Sequence, residues 1–85
     1  MECIVTLKWH DDEDVWTVAD AITNDGKSIG VTLSSGSFDA LVERVKPALL
    51  ELLEMNFNYI GEVKMSIITE RVDKLKPISW KPRPA

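Results

Sequence analysis

The chain has 85 residues, 45% of them apolar, with 10 Lys/Arg against 14 Asp/Glu and a formal net charge of −4. A chain this short holds one domain that buries roughly two-thirds of its unfolded surface, and the apolar fraction excludes a disordered polymer. The charge is uneven, with five Lys/Arg against thirteen Asp/Glu in residues 1–70 and five against one in residues 71–85, so the body disfavours direct contact with nucleic acid phosphates and suits a basic protein partner.

The first element is "CIVTLKW", in which Cys3, Val5, Leu7 and Trp9 alternate with Ile4, Thr6 and Lys8. This is the period of a half-buried strand. "DVWTVADAI", rich in β-branched and aromatic residues, is a second strand. The intervening "HDDED" therefore falls at a hairpin turn. Asp25-Gly26 in "TNDGKS" marks a second tight turn, and a third strand from about Ser28 to Leu33 is expected to follow it.

Ser37 precedes "FDALVERV" and offers a hydroxyl to the free amides of a helix start, with Asp39 in the first turn. Apolar residues then recur at Leu41, Val42, Val45, Leu49, Leu52 and Leu53, the stripe of a core-packing helix. Pro47 lies inside it and predicts a kink or a division, because it removes a backbone donor and crowds the carbonyl four residues back. "EVKMSIITERV" alternates again and reads as a fourth strand. A single α+β domain is expected over residues 1–72, followed at 73–85 by a basic tail with Pro77, Pro82 and Pro84. The elements run β-β-β-α-β. They imply one sheet with a helix on one face, the crossover being right-handed where it joins parallel strands.

The residues that could carry chemistry are few. Cys3 is the sole cysteine, so no internal disulfide is possible; in an apolar strand it reads as a small core residue, with no base at hand to form a thiolate. His10 is the sole histidine, which excludes a His-rich zinc site. Asp11, Asp12, Glu13 and Asp14 are contiguous at a turn, where side chains diverge, and the strand from Cys3 contains no acid. A two-metal nuclease would need carboxylates converging from rigid strands on cations roughly 3.5–4 Å apart. Neither a metal nor a cofactor is therefore expected. No leader and no apolar run of membrane-spanning length stands out, so the expected location is the cytoplasm. The thin core of so small a domain predicts a homodimer.

"VTLKWHDDEDVWTVADAI" and "SFDALVERVKPALLELLEMN" together resemble the opening hairpin and the capped, leucine-rich helix of the HicB-like antitoxin family, in its short members without a DNA-binding segment. The resemblance implies a partial RNase H-like fold, a mixed four-stranded sheet of order 3-2-1-4, loss of nuclease chemistry, and neutralisation of a small basic RNA-cleaving toxin of the HicA type. The chain departs from the family in having "DAITNDGKSIG" after the second strand, where the family has an Asp-hydrophobic-Pro-Gly turn. The expected partner-binding acids are Asp11, Asp12, Glu13, Asp14, Asp20 and Asp25. Two other readings stand beside this one: a metal-dependent nuclease-like remnant, and a purely structural dimerisation module.

Overall fold

In the computed structural model, which describes residues 1–71, the chain forms β1 (Glu2–His10), β2 (Val15–Thr23), β3 (Ser34–Ser35), α1 (Phe38–Phe57) and β4 (Lys64–Arg71). The expected tail at 73–85 lies outside the described residues. The strands form one sheet in the order β3-β2-β1-β4. β1 pairs antiparallel with β2 and parallel with β4, so the sheet is mixed and the class is α+β.

The alternation in β1 decides which face is covered. Cys3, Val5 and Leu7 are buried, and Ile4, Thr6 and Lys8 between them are only half-buried on the opposite face. Leu41, Val45, Leu49 and Leu53 of α1 are buried, and they join the β1 residues in one core with Ala21, Ile29 and Val31. A helix of 20 residues and a strand of 9 residues each span roughly 30 Å. The helical stripe thus has the length to match β1, and the β1 residues buried with it are Cys3, Val5 and Leu7.

Helix α1 starts as expected. Ser37 has an extended backbone, and its Oγ accepts a hydrogen bond from the Ala40 amide at 3.3 Å. Asn58 ends the helix in the left-handed region at φ 52, and the next amide, that of Tyr59, donates to the Leu53 carbonyl at 3.1 Å. Of the two outcomes expected at Pro47, a kink or a division, the division does not occur: α1 is one helix with Pro47 inside it. Pro47 is exposed, so the Glu43 carbonyl left without an intrahelical donor lies on the side where water can supply one.

The expected third strand over about Ser28–Leu33 is not formed there; β3 is the short Ser34–Ser35 that follows. Residues 29–33 do run beside β2, with Ile29 N–H donating to the Ala21 carbonyl at 2.7 Å and Val18 N–H donating to the Leu33 carbonyl at 3.2 Å. Between these points, however, Val31 N–H turns back to the Ile29 carbonyl at 2.9 Å. This local turn removes a ladder donor, and regular pairing is confined to Trp16 with Ser35 and Thr17 with Ser34, beyond a lone bridge between Ile22 and Ser28. Ile29 and Val31 are still buried. Their alternation marks burial, while the hydrogen-bond ladder is broken.

β2 carries a bulge. Thr6 faces Asp20 while Leu7 faces Val18, leaving Ala19 without a partner and reversing which face successive β2 residues occupy. This explains why "VWTVADAI" lacks clean alternation.

Each stripe residue contributes about 1.5–3 kcal/mol by burial, a large fraction of the ~5–15 kcal/mol that small domains have in total. Leu49→Ala should therefore cost about 2–5 kcal/mol in urea denaturation, and the exposed Glu51→Ala no more than about 0.5 kcal/mol. Similar losses for the two variants would show that α1 is not packed by this face.

Candidate functional site

The turn between β1 and β2 is built by a regular hairpin end. His10 pairs with Val15 and Trp9 with Trp16, which leaves Asp11, Asp12, Glu13 and Asp14 as the loop. Glu13 N–H donates to the His10 carbonyl at 3.2 Å, and Asp14 closes the loop in the left-handed region at φ 52, which Asp tolerates better than most residues. All four acids are exposed.

The base of this turn is packed by aromatic rings. The Trp9 and Trp16 rings lie 5.4 Å apart and tilted by 54°, and Trp16 meets Phe38, the first residue of α1, edge to face at 5.1 Å. Trp9 Nε1 donates to Asp11 Oδ1 at 3.3 Å. On the opposite face His10 Nε2 and Thr17 Oγ1 are hydrogen-bonded at 2.7 Å. His10 is thus a hairpin residue tied to its cross-strand neighbourhood. The aromatic chain from Trp9 through Trp16 to Phe38 is a feature that the strand and helix patterns do not announce. Its signal is present in the sequence all the same, since a four-residue loop at Asp11–Asp14 sets Trp9 opposite Trp16.

The six acids expected to meet a partner do not form one surface. Asp25 lies in the turn after β2, at the far end of a strand of 9 residues, roughly 30 Å from the Asp11–Asp14 loop. There Thr23 Oγ1 donates to Asp25 Oδ1, Lys27 Nζ approaches Asp25 Oδ2 at 3.9 Å, and Gly26 turns the chain at φ 86. Asp20 stands at the bulge, where its Oδ1 accepts from the Ala21 amide at 3.0 Å. Asp25 is therefore a turn-forming residue with its own cation, Asp20 helps shape the bulge, and only Asp11–Asp14 make a concentrated negative group.

Two further points bear on chemistry. β1 begins one residue earlier than expected and so takes in an acid, Glu2, exposed and opposite Lys64 of β4; the acid-free reading holds from Cys3 onward. Among the described residues no three His, Cys, Asp or Glu side chains are grouped as a metal site, and no buried side-chain nitrogen or oxygen lacks a hydrogen-bond partner. Cys3 is buried, and burial pushes its thiol pKa up, with the N-terminal charge opposing. No helix among the described residues is long and apolar enough to cross a membrane. Comparison of the chain with known protein families, with curated proteins and with solved structures finds no match.

The hydrogen bond from Thr23, aided by the local backbone and Lys27, holds the Asp25 carboxyl below its usual value. A folded-state pKa below the unfolded one makes Asp25 stabilising above the ordinary carboxylate range, and that contribution fades as the pH falls through its lowered value. In a carboxyl-carbon NMR titration Asp25 should titrate below the ordinary aspartate value, and Thr23→Val should move it back toward that value. An unshifted Asp25 in both proteins would remove this account of the turn. Separately, Cys3 should resist a thiol reagent at neutral pH in the native protein and react fully once the chain is denatured; prompt native labelling would contradict its burial.

Proposed function

We propose that this chain is a non-enzymatic protein-interaction domain, antitoxin-like in the manner of the HicB-like family, that binds and neutralises a small basic RNA-cleaving toxin of the HicA type. The observation that carries the reading is the Asp11–Asp14 loop: four exposed carboxylates on a short hairpin end whose base is stiffened by the Trp9, Trp16 and Phe38 rings. Consecutive acids on a turn fan outward, which suits long-range attraction of a cationic surface and does not suit clamping one cation. A rigid base matters because a partner then meets charges already held in place, with less ordering to be done on binding.

The strand order and the single helix accord with a partial RNase H-like domain, and the resemblance in "VTLKWHDDEDVWTVADAI" lies across this loop. In this reading the domain keeps the scaffold of a nuclease and uses its hairpin end as a recognition surface in the cytoplasm. The rest of the body supports the same sense of charge, with nine further acids against five bases in residues 1–70.

The test is association kinetics with a purified HicA-type toxin across a range of ionic strength. Neutralising Asp11, Asp12 and Glu13 together, as D11N/D12N/E13Q, should slow association at low salt by about tenfold or more and flatten its salt dependence, with the far-UV circular dichroism unchanged. Equal rates for the variant and the parent chain would end the proposal that this loop steers a basic partner.

A further inference from the structure

The two edges of the sheet are unlike. On the β3 side the edge strand is only 2 residues long, a common way to blunt an edge against pairing. On the other side β4 presents 8 residues, Lys64 to Arg71, with no proline in its sequence, and among the described residues nothing pairs with its outer edge. We infer that this edge pairs antiparallel with β4 of a second copy, about a two-fold axis at Ile67, to give one continuous eight-stranded sheet. The inference stands independently of the toxin-binding reading, since it uses a different part of the molecule.

The backbone sets which residues can pair. Lys64 N–H donates to the Met1 carbonyl at 2.8 Å, so the even-numbered residues of β4 direct their backbone groups toward β1. In a strand the next residues direct theirs the other way, which leaves Met65, Ile67 and Thr69 with N–H and C=O on the outer edge. An antiparallel partner must then set odd residues opposite odd ones, and this places the helices of both copies on the same face of the joined sheet.

Side-chain charge selects the register among those the backbone allows. With Ile67 opposite Ile67, Met65 meets Thr69 and Lys64 meets Glu70 of the second copy. Within one copy Glu2 is already opposite Lys64, and Lys8 is opposite Glu70. Across the join, the open face would therefore read Glu2, Lys64, Glu70, Lys8, alternating in sign over four strands, and the two-fold repeats the row. Sliding one copy so that Ser66 lies on the axis would instead set Lys64 opposite Ile68 and carry Glu70 past the start of the second copy's β4, leaving both charges without a cross-strand partner.

The apolar surface agrees with this placement. A shallow groove of about 320 Å³ between α1 and β4, lined by Leu49, Leu50, Val63 and Met65 with Lys46 at its side, opens on the helix face, and Leu50 is 50% exposed. The chosen pairing brings the second copy alongside that groove, where a small domain has apolar area still to cover.

Sedimentation equilibrium of the full 85-residue chain tests the inference. A dimer is expected, weakened roughly tenfold or more by K64E or by E70K, since the two-fold turns two attractions into two repulsions in each variant. The double variant K64E/E70K should restore the dimer even though each swapped charge then faces one of its own sign, Glu2 or Lys8, within its copy. That restoration separates pairing between copies from a loss of stability within one. Thr69→Pro, which removes an outward N–H at an edge position where proline is tolerated, should give a folded monomer by circular dichroism. A monomeric parent chain, as would follow if residues 72–85 covered the edge, would overturn the inference. So would a dimer that the charge swap fails to restore or that Thr69→Pro leaves intact.

Discussion

The burial of Cys3, Val5 and Leu7 beneath Leu41, Val45, Leu49 and Leu53 is the constraint on which the rest of the molecule depends. β1 lies between β2 and β4 and lends its covered face to the helix, so every other element is placed relative to it. A one-residue slip of β1 would exchange Val5 for Thr6 and Leu7 for Lys8 in the core. That penalty fixes the register of β2 on one side and β4 on the other. It also fixes where the Asp11–Asp14 loop projects and which β4 backbone groups point outward.

Because the core is thin, its two ends have to be closed by other means. At the hairpin end the Trp9, Trp16 and Phe38 rings continue the core past Leu7 and tie the loop to the start of the helix. At the opposite end the N-terminal ammonium is held by the Glu62 carbonyl at 3.1 Å and the Tyr59 hydroxyl at 3.2 Å, which joins the start of β1 to the connection between α1 and β4. Charge is likewise divided between the ends: the dense acidic loop lies at the aromatic end, while Asp25 at the other shares its turn with Lys27.

Much of the fold is legible in the sequence because it rests on local periodicity. The alternation in "CIVTLKW" and "EVKMSIITERV", the stripe from Leu41 to Leu53 and the serine before Phe38 each report a local energy that the structure keeps. What is not legible depends on interactions between elements. The bulge at Ala19 is a shift in the register of β2 against β1, and β2's own sequence shows it only as a loss of alternation, without placing it. Pro47 reads as a break from its ring alone, yet whether a helix survives a proline is decided by whether the orphaned carbonyl meets water, which depends on the face the residue occupies.

The candidate site shows the same division. That Asp11 to Asp14 sit on a turn follows from the strands around them, and so does their outward direction. Grouping them with Asp20 and Asp25 treats nearness in sequence as nearness in space, and a strand defeats that assumption faster than any other element, since each residue adds about 3.3 Å. A partner surface of ordinary size centred on the hairpin end extends roughly 15 Å to each side, enough for the four loop acids and the adjacent rim of the sheet but short of Asp25. In the proposed reading, recognition is therefore confined to one end of the hairpin, where the Trp9–Asp11 hydrogen bond holds the first of the acids in place.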